Sequence, residues 1–262
     1  MKNGLYLLKV LWAYYYFLIF TLIFLVLYPA FLILLSKEKW FPEVNWLRVV
    51  WARILFLFTG IIYEIRYEKI LDRSQTYIFC PNHFSYIDIP MSALVVKRNW
   101  RFMAKTELST IPVLNIFFKR LDITVDRRNL RESYKANQKA GESLDEGINI
   151  VVYPEGTIGS HQPELERFKN GPFRLAIEKQ VPIVPVTMAD NGKILFVDGW
   201  KMYGRPGIAR VFVHSPVETH GMTMADLPML KNKVFTLIDH QLKVYEFRNR
   251  HQKLTAGHHK ES

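Results

Sequence analysis

One cysteine, Cys80, is all that this 262-residue chain contains. It cannot close a disulfide within the chain or supply a multi-cysteine zinc site, so nothing points to an oxidising compartment, and an intracellular face is the expectation. Also missing are the loops G-x-x-x-x-G-K-[ST] and G-x-G-x-x-G, the elbow G-x-S-x-G and the helix motif H-E-x-x-H. P-loop, Rossmann, serine-hydrolase and zinc-protease readings fall away with them. Internal repeats and low-complexity segments are absent too.

Residues 10–36, VLWAYYYFLIFTLIFLVLYPAFLILLS, lack every ionisable side chain except tyrosine. As a helix the stretch would run about 40 Å, more than the roughly 30 Å hydrocarbon core of a bilayer. It belongs in lipid. It is too long for a cleaved signal and no A-x-A-like site ends it, so it reads as a retained anchor, with Pro29 expected to kink or break it. Residues 46–63 are also apolar but carry Arg48 and Arg53, which suggests an interfacial helix with snorkelling cations. Lys2 and Lys9 on one side are matched by Lys37 and Lys39 on the other, so loop charge gives no orientation, and spanning and insertion into one leaflet both stay open.

After residue 66 the pattern changes. Short β-rich runs at 76–80, 100–104, 123–125, 149–153, 183–188 and 209–214 alternate with helical stretches at 131–146, 170–180 and 224–248. That order predicts an α/β domain with a mainly parallel sheet flanked by helices. The organisation expected is an anchor of N-terminal helices over 1–65, a catalytic domain over 66–250 and a flexible tail over 251–262. In that tail His258 and His259 mark a solvated end rather than a metal site.

Charge is uneven. The net +11 is concentrated in residues 97–139, with eleven Lys/Arg against four Asp/Glu. Such a field suits phosphate, anionic lipid or an acidic carrier protein; beside a lipid anchor it argues against nucleic acid.

Three polar motifs each follow an apolar run: NHFSYID after YIFCP, AKTEL after WRFM and YPEGT after INIVV. In an open parallel sheet the carboxyl ends of strands share one edge, where such motifs converge. His83 and Asp88 stand five positions apart, about 140° around a continuous helix and out of reach. Pro90 prefers a first helical turn, so a helix starting near Asp88 leaves His83 in the preceding loop, free to fold back. Two arrangements fit. Asp88 orients His83 as a general base on an alcohol, or Asp88 is a helix N-cap and His83 a loop residue bonded to backbone. Cys80, at the end of an apolar strand, reads as a small buried hydrophobe rather than a nucleophile.

Taken together, Asn82, His83, Ser85 and Asp88, the run Tyr153-Pro154-Glu155-Gly156-Thr157, the VPIVPV at 181–186, RFMAKTELSTIP around Lys105 and Glu107, and FKNG at 168–171 resemble the 1-acylglycerol-3-phosphate O-acyltransferases, the PlsC-like lysophospholipid acyltransferases. Two positions depart from that family's pattern. Leu121 stands where its second motif has glycine, and Ile158 replaces the arginine that follows E-G-T, with Gly159 inserted before Ser160.

The resemblance implies a membrane-bound acyltransferase of phospholipid synthesis with His83 and Asp88 catalytic and no metal or cofactor. The acyl donor is a thioester of acyl carrier protein or coenzyme A, and the acceptor is lysophosphatidate. Asn82, Ser85, Lys105, Arg127, Glu155, Gly156, Thr157 and Lys169 are the expected substrate-binding residues. Arg127, Arg128, Lys105 and Lys169 are the cations available for phosphate, and backbone N–H groups of the 155–157 turn are the expected oxyanion donors. The expected location is the inner membrane with the site facing the cytoplasm. The loss of arginine at Ile158 leaves room for another monoacyl acceptor, such as a lyso-amino-acid lipid. A non-catalytic lipid-binding scaffold is the alternative from a different class.

Overall fold

The computed structural model describes residues 2–97, 99–110, 115–126, 128–159 and 162–258. Two long helices come first, α1 (Lys2–Leu34) and α2 (Phe41–Thr59). Pro42 lies in the first turn of α2, and Gly60 closes it at φ 69°, a left-handed cap that only glycine adopts without strain. The next elements are β1 (Ile61–Tyr67), β2 (Ile78–Pro81), α3 (Asp88–Val95), β3 (Trp100–Lys105), α4 (Asn115–Arg120) and β4 (Ile123–Val125). Then come α5 (Leu130–Asp145), β5 (Asn149–Val152), α6 (Gly171–Lys179), β6 (Ile183–Met188) and α7 (Asn191–Ile194). A hairpin of β7 (Leu195–Asp198) and β8 (Lys201–Gly204), strand β9 (Gly207–Val213) and helix α8 (Leu227–His258) complete the chain.

Seven strands form one sheet in the order β1-β9-β6-β2-β5-β3-β4. The five from β6 to β4 are mutually parallel, and β9 joins β6 antiparallel, carrying β1 with it. The central strands β2, β5 and β6 are buried throughout, which is why they read as apolar runs rather than alternating ones. Their side chains still alternate between two cores. Phe79, Val151, Val184 and Val186 face the helices α1 to α3, while Ile78, Cys80, Ile150 and Ile183 face α5, α6 and α8. The expected mainly parallel α/β domain is what forms.

The N-terminal helices differ from the expectation in three ways. First, α1 runs through Pro29 as one 33-residue helix, so the proline does not break it. Second, α1 is two-faced by packing rather than by composition. Ala13, Tyr16, Phe24 and Phe31 are buried against α2 and the sheet, whereas Leu11, Leu18, Leu22 and Val26 on the other side are exposed. Third, Arg48 does not snorkel to water. It turns inward from α2 to a buried ion pair with Asp122, at 3.2 and 2.5 Å, between the rings of Trp100 and Phe117. Asp122 also accepts the Phe102 N–H at 3.0 Å. The helices and the sheet therefore share one core, and the boundary expected at residue 66 falls inside β1. At the other end, α8 continues to His258, past the point where a tail was expected; His259 lies outside the described residues.

Removing one partner of a buried pair strands the other charge. Arg48→Ala is expected to destabilise the protein by about 3–5 kcal/mol in denaturant melts, and the apolar double replacement Arg48→Met with Asp122→Leu to recover most of that loss.

Candidate active site

Because β2, β3, β5 and β6 are parallel, their carboxyl ends share one edge. The loop after β2 carries His83, β3 ends on Lys105, the turn after β5 carries Glu155, and α7 follows β6. The convergence expected of the motifs is realised at this edge.

Asp88 has no solvent exposure, and four donors meet on its carboxylate. His83 Nδ1 and the N–H groups of Phe84 and Ser85 reach Oδ2 at 2.8, 2.7 and 2.9 Å, and Asn191 Nδ2 reaches Oδ1 at 2.6 Å. Asp88 thus turns back on its own loop and holds His83 instead of capping the helix ahead. With Nδ1–H given to Asp88, the lone pair of His83 sits on Nε2, and the ring lines an adjoining cavity. Tyr153 stacks on the imidazole at 4.0 Å between centroids and 16° between planes, and its hydroxyl pairs with Ser92 Oγ at 2.9 Å. Burial, with the charge of Asp88 added, pushes the Tyr153 hydroxyl well above its usual range, so this wall stays neutral.

Glu155 is 1% exposed and forms no ion pair among the described residues. Its Oε1 accepts the His83 N–H at 2.7 Å and its Oε2 the Glu166 N–H at 2.8 Å, so it fastens the histidine loop to the segment before α6. Burial pushes its carboxyl up to about 8, against the pull of those two bonds. Gly156 is at φ 74° and its N–H is committed to the Tyr153 carbonyl at 3.0 Å, which removes one of the oxyanion donors expected of this turn. The Gly159 N–H is likewise held by the His83 carbonyl at 2.8 Å.

Two cavities meet here. The one beside His83, about 360 Å³, is walled chiefly by apolar groups, among them Ile89, Phe102, Leu108, Phe118 and Ile158. Its neighbour, about 350 Å³, is ringed by Lys105, Arg128, Arg167 and Lys169 together with Glu107, Asp126 and Glu166. Lys105, Gly156 and Thr157 belong to both.

The expected substrate-binding set divides. Lys105, Glu155, Gly156, Thr157 and Lys169 line the cavities. Asn82 and Ser85 do not. Asn82 is buried and exchanges two bonds with the Met188 backbone, at 3.0 and 2.7 Å, and Ser85 Oγ donates to the Leu195 carbonyl at 2.7 Å. Both brace the loop against β6 and β7. Arg127 lies outside the described residues. Cys80 is buried, and burial raises its thiol far from reactivity. Sequence reasoning missed Asn191, Arg167 and the stacking role of Tyr153. A lone asparagine 103 residues from Asp88 carries no local signal, although Arg167 was recoverable from its place beside Lys169.

A His–Asp pair thus stands at the carboxyl edge of a largely parallel sheet with helices on both faces. A structural likeness covers nearly the whole chain. The crystal structure of the 1-acyl-sn-glycerophosphate acyltransferase PlsC from Thermotoga maritima superposes with a TM-score of 0.74 over 92% of this chain and 97% of that one, at 23% identity. Residues 63–189, just under half of the chain, match the family model described as Acyltransferase. Among curated relatives, an uncharacterised acyltransferase of Schizosaccharomyces pombe is 31% identical over 69% of this chain and 65% of its own length. The human 1-acyl-sn-glycerol-3-phosphate acyltransferase beta is 30% identical over 66% and 62%, and the mouse alpha enzyme 28% over 72% and 66%. The chain thus spans just under two thirds of these curated relatives.

Two outcomes test this geometry. Asn191→Ala is expected to lower kcat by about tenfold or more with KM little changed, since it removes a donor of about 1.5–3 kcal/mol from Asp88 without touching either cavity. Glu155 has a folded pKa of about 8 against 4.5 when free, so its contribution to stability is complete below about 4.5 and is lost as pH rises through about 8. Melting temperatures of the wild type should fall over that window. Glu155→Gln should melt lower at pH 5, having lost an acceptor for one backbone N–H, and should show a flatter profile.

Proposed function

We propose that the chain is a 1-acylglycerol-3-phosphate O-acyltransferase, moving a fatty acyl group from a thioester to the free hydroxyl of lysophosphatidate to give phosphatidate. The observation that carries this reading is His83, fixed by Asp88, opening onto an apolar cavity that shares a wall with a basic chamber. The names of the curated relatives support it.

His83 Nε2 takes the proton of the acceptor hydroxyl as its oxygen attacks the thioester carbonyl, and Asp88 stabilises the imidazolium that results. The carbonyl oxygen gains negative charge, for which the Thr157 N–H is the donor we assign in the 155–157 turn. Collapse breaks the C–S bond, and the departing thiolate takes the proton from His83. Glu155 holds the loop. The acyl chain lies in the apolar cavity and the phosphate among Lys105, Arg128, Arg167 and Lys169, which offer the several charged donors a phosphomonoester needs.

Membrane association follows from α1, whose hydropathy averages 2.8 over its apolar window. We place α1 in one leaflet. It packs along α2 from Trp12, bonded to the Thr59 carbonyl, to Phe24, edge-on to Trp51, so it does not leave the domain to cross the bilayer. Tyr86 of the catalytic loop meets Phe17 of α1 at 6.0 Å, which sets the site at the lipid surface. Access to carrier-protein or coenzyme A donors puts that surface on the cytoplasmic side of the inner membrane.

A second reading rests on Ile158, an apolar wall residue where the family motif has arginine: the acceptor is a monoacyl lipid without a phosphomonoester. One assay separates them. Detergent-purified protein given a palmitoyl thioester should release thiol with lysophosphatidate, and His83→Ala should lose about a hundredfold or more of that rate. Lys169→Ala should raise KM for lysophosphatidate by roughly tenfold or more. Turnover confined to the acceptor without phosphate would favour the second reading, and full activity of His83→Ala would sink the mechanism.

A further inference from the structure

The hairpin β7–β8 stands apart from the main sheet, and nothing in the catalytic chemistry requires its tip. Asp198 pairs with Lys201, leaving Gly199 and Trp200 as a two-residue turn, with Gly199 at φ 56° as such turns demand of their first residue. Trp200 is 96% exposed, and water gives no reason for an indole at a turn position that asparagine, serine or threonine would normally fill. The strand behind it leans on the lipid-facing helix. Tyr203 meets Tyr6 of α1 at 6.3 Å and stacks on Phe196 at 4.9 Å, and at Gly204 an added Cβ would lie 2.6 Å from the Trp12 ring. Beyond Tyr6 the exposed surface of α1 continues through Leu7, Leu8 and Leu11. The base of the same turn, from Val197 to Gly199, lines the cavity of His83.

We propose that the β7–β8 hairpin is a second membrane-contacting element, its Trp200 seated among the lipid headgroups, so that the cavity of His83 opens directly to the bilayer. The occupant is a lipid surface because the patch is continuous with α1, and this inference rests on the membrane placement given above. Asp198 and Lys201 flank the tip and stop it at headgroup depth, the level at which tryptophan belts sit. A lysolipid and the acyl chain of a donor then pass from leaflet to base without crossing water.

The chain's single cysteine makes the test clean, because Cys80 is buried and an introduced surface thiol is the one that labels. Trp200→Cys, Leu18→Cys on the exposed face of α1 and Glu218→Cys on an exposed loop each receive a thiol-reactive NBD probe. Each protein is then reconstituted in phosphatidylethanolamine and phosphatidylglycerol vesicles with or without lipid carrying a doxyl group near the headgroup. The expected result is blue-shifted, doxyl-quenched emission at positions 200 and 18 and water-like, unquenched emission at 218. Quenching at 18 with position 200 behaving like 218 overturns the hairpin proposal and leaves the membrane placement standing. Water-like emission at both 18 and 200 overturns both.

Discussion

A carboxylate shut away from water must find hydrogen-bond donors inside the protein, and the catalytic edge is organised around how Asp88 does so. Its partners come from two places: the loop that follows β2, which carries the histidine it holds, and an asparagine at the start of the short helix after β6. That last bond joins residues 103 positions apart. The loop cannot shift without stranding a buried charge, and the imidazole inherits its rigidity. Asn82, Ser85 and Glu155 then tie the same loop to β6, β7 and the segment before α6, so the base rests on strands rather than on a flexible tip.

A second buried acid does for the membrane helices what Asp88 does for the base. Asp122 draws Arg48 of α2 into the sheet's own core, and α1 follows because one of its faces packs on α2. The distance between lipid and catalytic edge is thereby set by packing within a single core rather than by a linker. This suits the proposed reaction, whose acceptor would stay in the membrane.

Much of this was legible in the sequence, for reasons that can be named. Strand β6 falls where its apolar run predicted, since a strand buried on both faces is largely apolar, and the half-buried edge strand β4 also falls where expected. The helix expected to begin near Asp88 does so, because Pro90 constrains its first turn. The illegible parts depended on distant partners. Arg48 reads as a snorkelling cation until Asp122, 74 residues away, is beside it. Strand β1 hides in the end of an apolar stretch that composition assigns to the anchor, and β7 and β8 are too short and too half-buried to announce themselves. Asn82 and Ser85 sit in a motif shared with catalytic residues, and a motif records which residues are required without saying whether each touches substrate or holds up one that does.

Lys105, Gly156 and Thr157 form a party wall between the apolar and the basic cavity. A party wall couples the histories of the rooms on either side. Under the proposed activity, a change in acyl-chain preference that moves this wall also disturbs the basic chamber, so the two selectivities change together. Ile158, next along the chain and lining the apolar side alone, lies just beyond that linkage, so a change there leaves the shared wall intact.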